Sequence, residues 1–219
     1  MIDTSWSKLL PTTVGERILS KMDNDPRLLY HNGDHVRRMY ARAKFWRLPY
    51  DLTLDASILG HDCVYDEHPD KELRSADYMR DVYREFKSVF DHLGDFDIRA
   101  CNEQILSTAG HRVIPEIDSR LIKLDLAELG DRDQRVVNFW NIHQESKLLY
   151  GVDSATAAQG GADFLKGFLL TVAENSVTNF NSNDFVGDGH EYWTDVVRGV
   201  EDTLLMSKTL IAFHELGHA

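Results

Sequence analysis

Residues 60–68 read GHDCVYDEH, and the conformation of this stretch decides what the rest of the chain must build around it. Helical periodicity dominates here, and a helix is expected from about Leu52 to Tyr65. On such a helix His61 and Asp62 are neighbours whose side chains diverge by about 100°. They can still meet at one ion, because imidazole and carboxylate differ in reach. Asp66, four residues after Asp62, would share its face one turn on.

Helices are expected on both sides. Upstream, Val36, Met39, Tyr40, Ala43 and Trp46 form the apolar stripe of an amphipathic helix. That helix follows the turn-like Asn32-Gly33-Asp34 and ends before Pro49. Downstream, helices are expected around Ser75 to Phe90, from Asp97 to Ser107 and from Ile117 to Leu129, the last stopping at Gly130. VVNFWNIHQESKLLYG, GADFLKGFLLTVAENSV and EYWTDVVRGVEDTLLMSKTLIAF read as three more. The clearest loop is TNFNSNDFVGDGH, residues 178–190, rich in Asn, Asp, Ser and Gly. Strand signals are scarce and no repeat is visible, so 1–219 reads as a single all-α domain.

Composition narrows the function. Apolar residues make up 42% and charged residues 27%, an ordinary globular balance. No window approaches the run of about 18 apolar residues that a membrane span needs, so no membrane partner is expected. The start, MIDTSWSKLLPTTVGER, lacks the basic-then-apolar layout of a secretory signal, and a cytoplasmic location is expected. The net charge of −12 argues against a broad nucleic-acid surface. Two cysteines, Cys63 and Cys101, make no disulfide framework and are expected as reduced thiols.

Asp125 stands among Ile117, Leu121, Ile122, Leu124, Leu126 and Leu129, in a helix apolar on nearly every side. A buried carboxylate is costly unless paired, hydrogen-bonded or bound to a metal. Read alone, Asp125 is a core residue with a local partner, and His35 a satisfied helix residue. Their order along a helical chain changes that reading: a His, then His-Asp, then a buried Asp.

With these residues in place, the chain resembles the HD-domain superfamily of metal-dependent phosphohydrolases. It is most similar to small predicted members with a Tyr-His-Asn-x-x-His opening and an HDxxYD centre. Here those are Tyr30-His31-Asn32-Gly33-Asp34-His35 and His61-Asp62-Cys63-Val64-Tyr65-Asp66. Glu72, Ser75 and Ala76 echo a further element, as does Thr108 with His111, and DLAELG (125–130) resembles the segment that supplies the last ligand. Fainter echoes are IHQES (142–146) and GADFLKGFL (161–169). Two departures are Lys71, where relatives carry Asn, and Gly161-Ala162, where they carry Gly-Arg.

The resemblance implies an HD helical bundle over about 28–150, with extra C-terminal helices over about 151–219. It implies His35, His61, Asp62 and Asp125 as ligands of a divalent transition metal, and two imidazoles with two carboxylates suit Mn, Co, Fe, Ni or Zn. The substrate would be a small phosphorylated molecule such as a nucleotide or an alarmone-like ester or anhydride, cleaved by a metal-activated water. Asp66 is a candidate for orienting or deprotonating that water and Glu72 a second acid–base candidate, although Asp66 reads equally well as a helix-terminal carboxylate. His31, Arg38, Lys71, Arg74, His111 and Arg112 are candidate phosphate contacts.

Two other readings compete. In the first, an HD-fold di-iron oxygenase, two added histidines would come from His92 and His111. In the second, FHELGHA (213–219) matches the H-E-x-x-H core of zinc proteases through His214, Glu215 and His218. One residue follows His218, so a third ligand would have to come from upstream.

Overall fold

The computed structural model describes residues 2–111, 114, 116–131, 133–176 and 189–215, with the backbone alone at 168–176, 189–195 and 214. Among them the chain is all-α: ten α-helices, one 3-10 segment and no strand. No helix among the described residues is long and apolar enough to cross a membrane. The chain divides into two compact units, Met1–Asp125 and Leu126–Ala219.

The first unit opens with α1 (Thr13–Asp23), which is not among the expected helices. Its signals are local. The Thr12 side chain accepts from the Val14 amide as N-cap, and Val14, Ile18 and Met22 repeat every fourth residue on the buried face. Helix α2 (Gly33–Phe45) starts one turn earlier than its apolar stripe. The side chain of Asn32 accepts from the Asp34 and His35 amides and so nucleates the helix that carries His35. Gly33 has no room for a Cβ, which would meet Asp23 Oδ1 at 2.5 Å.

Helix α3 (Leu52–Gly60) begins at Asp51, whose carboxylate accepts from the Thr53 and Leu54 amides. It ends five residues short of the expected Tyr65, so His61 and Asp62 lie in the turn beyond it rather than on a helix face. Its last residue is closely packed. A Cβ on Gly60 would stand 2.4 Å from the Met79 side chain, so this glycine lets the next helix pass close across the end of α3. The expected helix over 75–90 is two: α4 (Lys71–Glu85) and α5 (Lys87–Leu93). Helix α6 (Ile98–Ser107), capped by Asp97, falls where the periodicity placed it.

Around these helices the first unit buries Leu9, Ile18, Met39, Tyr40, Leu54, Ile58, Leu59, Met79 and Ile105 in one core. Inside it Asp55 is fully enclosed yet bound to donors alone. Its carboxylate accepts from Ser7 Oγ at 2.6 Å, the Lys8 amide at 2.8 Å, the Leu9 amide at 3.1 Å and Tyr50 Oη at 3.1 Å. Four donors on one carboxylate replace its hydration and fasten the N-terminal segment to α3. Cys63 and Cys101 are buried free thiols, and burial pushes both up to about 12.

Helix α7 (Arg120–Leu126) carries Asp125 and tightens into a 3-10 turn over Ala127–Gly130. The second unit then holds α8 (Arg135–Tyr150) and α10 (Gly189–Glu215), close to the expected segments, and α9 (Ser154–Ser176), which begins seven residues before the expected start at Gly161. Gly151 closes α8 in the left-handed conformation, φ 62°. Residues 178–188 of the expected loop lie outside the described residues, as do His218 and the side chain of His214.

Candidate functional site

The first unit brings together residues far apart in sequence. His35 sits in the first turn of α2, held there by the Asn32 cap, with its side chain fully buried. His61 follows α3 directly, and its Nδ1 lies 2.9 Å from the Ile58 carbonyl. A carbonyl can only accept, so Nδ1 carries the proton and the neutral ring presents a lone pair on Nε2. That Nε2 is buried and makes no hydrogen bond of acceptable geometry, yet stands 3.0 Å from Asp62 Oδ2 and 3.7 Å from Asp125 Oδ1.

A lone pair facing two carboxylates is repulsive unless a cation lies between them or a proton sits on the ring. Burial disfavours the charged imidazolium, but Asp62 and Asp125 outweigh it and hold His61 well above the usual histidine range. The same pairing acts on the acids. Burial raises Asp62, and the facing His61 more than reverses this, leaving it below the ordinary carboxylate range. Asp125 is likewise raised by burial and brought down further by His111, His35 and His61.

The four expected ligands converge as follows. One donor atom each from His35, His61 and Asp62 lies within 4.8 Å of the others, all three residues buried. Asp125 joins through Oδ1, 3.1 Å from His35 Nε2 and 3.7 Å from His61 Nε2. Donors about 2.1 Å from a shared ion stand roughly 3.0–3.4 Å apart along the edges of its coordination polyhedron. The His61–Asp62 and His35–Asp125 spacings of 3.0 and 3.1 Å fall in that range and the His61–Asp125 spacing of 3.7 Å lies just beyond it, and the His61 tautomer set by a backbone carbonyl is the arrangement metal-ligating histidines adopt. The donor set therefore fits a divalent transition ion.

Other side chains surround these four. His111 Nε2 lies 3.0 Å from Asp125 Oδ2, the oxygen opposite the one facing His35. His31 stacks on Tyr65 with ring centroids 3.8 Å apart and planes within 13°, and its charge lowers Asp62. The Lys71 ammonium sits 3.9 Å from the centroid of the Tyr65 ring. Arg38 lies 5.7 Å from the ring centre of Tyr30, which in turn is 4.9 Å from the His35 ring. Tyr65 is the ring that both His31 and Lys71 meet, a placement that depends on the loop after α3, which periodicity does not describe.

Asp66 differs most from expectation. With no helix there, it shares no helical face with Asp62. Its carboxylate accepts from Arg74 Nη1 at 2.8 Å and from the His68 amide at 3.1 Å. Burial alone would raise it, but these two partners leave it below the ordinary range. Arg74 is thus engaged by Asp66. Glu72 is half-buried in the first turn of α4, and the loop it follows is fastened by Ser75, whose Oγ bonds both the amide and the carbonyl of Val64. Arg112 lies outside the described residues. His92 is exposed in the last turn of α5.

Compared with family models, with curated proteins and with solved structures, the chain finds no significant match in any of the three.

Proposed function

We propose that the chain is a metal-dependent phosphohydrolase of the HD-domain type, acting on a small phosphorylated substrate of the nucleotide or alarmone class. The observation that carries this reading is His61: a buried imidazole whose protonated nitrogen is committed to Ile58 and whose other nitrogen faces Asp62 and Asp125. His35, His61, Asp62 and Asp125 would hold the ion. A divalent transition ion supplies Lewis-acid polarisation of a phosphoryl oxygen and a hydroxide near neutral pH.

The rest is the work of the chain itself. Burial of His35, His61 and Asp62 limits water at the centre and strengthens the charge interactions there. Lys71 over the Tyr65 ring and Arg38 beside Tyr30 supply positive charge for a phosphate chain, and His31, stacked on Tyr65, supplies a hydrogen-bonding ring. Asp66, fixed by Arg74, is the candidate for orienting the attacking water, and Glu72 the alternative. No further catalytic group is required, because phosphoryl transfer depends chiefly on positioning and charge neutralisation. His92 is exposed on α5, which leaves the di-iron reading without one of its two added ligands.

The test is a screen of Mn-, Co- and Zn-loaded protein against nucleotides and alarmones, with products resolved by phosphate number. Hydrolysis is expected in at least one pairing and absent in Asp125→Ala. An Asp125→Ala variant with full metal content and full activity would overturn the assignment.

A further inference from the structure

The two carboxylate oxygens of Asp125 face different partners, and one of those partners is His111, whose backbone conformation is unusual. After α6 the chain turns back on itself. Thr108 Oγ1 donates to the Ile105 carbonyl at 2.8 Å, and the Gly110 and His111 amides both point at the Thr108 carbonyl, at 2.6 and 3.2 Å. Gly110 takes φ 142° and His111 takes φ 52°. The second value puts a residue with a bulky side chain in the left-handed region, which costs free energy and persists only where the surroundings impose it.

The result of that conformation is a single contact. The imidazole reaches 14 residues ahead and places Nε2 3.0 Å from Asp125 Oδ2. The other oxygen, Oδ1, faces His35 Nε2 at 3.1 Å and His61 Nε2 at 3.7 Å. The two oxygens of one carboxylate are therefore divided between two sets of partners. His111 is also the most exposed of the imidazoles on Asp125, 19% against 0% for His35 and 1% for His61. It stands at the rim of the cluster and not inside it.

We infer that His111 is a positioning residue: it tethers Asp125 Oδ2 so that the carboxylate meets the ion through Oδ1 alone, leaving a coordination position for water or substrate. This rests on the metal reading above and departs from the expectation that His111 touches phosphate. Outer partners of this kind fix ligand orientation, and their loss typically weakens metal binding about 10–100-fold.

The test compares wild type, His111→Gly and His111→Gln, titrated with Co(II) and Mn(II) under chelator competition and followed by the visible absorption of Co(II). Glycine accommodates φ 52° without strain, so this variant removes the imidazole while favouring the turn. The wild type is expected to bind one ion per chain. His111→Gly should bind it about 10–100-fold more weakly, with a Co(II) spectrum altered by the freed Oδ2. His111→Gln, whose amide nitrogen reaches as far as Nε2, should restore part of both. Wild-type affinity and spectrum in His111→Gly overturn the inference while leaving the metal reading intact. A second ion per chain that disappears in His111→Gly overturns it as well, by making His111 a ligand. A wild type that binds no ion overturns both.

Discussion

Each unit of the molecule buries a histidine, and the two sit in opposite surroundings. In the first unit, His61 gives Nδ1 to a backbone carbonyl and turns Nε2 towards two carboxylates, which hold it well above the usual range. In the second, His143 of α8 is 4% exposed, and neither of its ring nitrogens has a hydrogen-bond partner. It lies against Trp140 and Phe139, with ring centroids 5.5 and 6.1 Å away. Burial and the charge of Lys147 push it below the usual range. Burial alone makes a histidine neutral; it is the facing carboxylates that turn one into a place for a cation. Helix α8 also carries buried polar groups that do have partners. It buries Arg135 and Asn138, paired with Asp202 and Glu128, while Val136, Val137 and Trp140 on its other side are exposed.

The largest effect should separate the two histidines by metal binding. His61→Ala is expected to lower Mn(II) affinity by more than about 100-fold, because losing a ligand exceeds the cost of losing an outer partner. His143→Ala should leave that affinity unchanged. Chelator competition on both variants gives the answer, and comparable losses in the two would break the comparison.

A smaller effect, with opposite signs in the two units, should appear as pH is varied on the metal-free protein. His61 is raised, so its contribution is complete below the unfolded value near 6.5 and is lost as pH climbs through the folded one. His143 is lowered, so its contribution is complete above about 6.5 and is lost as pH falls towards its folded value. Hydrogen exchange followed separately in α3 and α8 should therefore show protection declining above about pH 6.5 in the first and below it in the second. Saturating Mn(II) should remove the alkaline decline, because ion binding requires the deprotonated imidazole. An alkaline decline that persists with the ion bound would assign it to some group other than His61.

Much of this was legible in the residues. The stripe of Val36, Met39, Tyr40, Ala43 and Trp46 placed α2; the first four are buried, and Trp46 is half-buried as the C-cap. The order of His35, His61-Asp62 and Asp125 picked out residues that the fold does bring together. The errors lie where packing overrides local pattern. The expected helix runs on to Tyr65, but α3 stops at Gly60, where Met79 packs against it, so Asp66 could not be placed by counting helical turns. The His111–Asp125 contact depends on one left-handed residue after Gly110, and no periodicity encodes that. The Lys71–Tyr65–His31 stack has the same origin, a loop whose course is set by Ser75 on the neighbouring helix.

The smallest expected effect asks whether the second histidine serves any purpose. An imidazole enclosed with neither nitrogen bonded forfeits its hydration without compensation, whereas an apolar side chain of similar size forfeits nothing. His143→Leu should therefore be neutral or stabilise the second unit by up to about 1 kcal/mol, read as slower hydrogen exchange along α8. It should also abolish the acid-side decline described above, since leucine has no proton to take up. Faster exchange in His143→Leu would mean that the imidazole is bonded in solution, to water or a ligand. His143 would then stand beside His61 as a second polar centre, and the contrast between the two units would be lost.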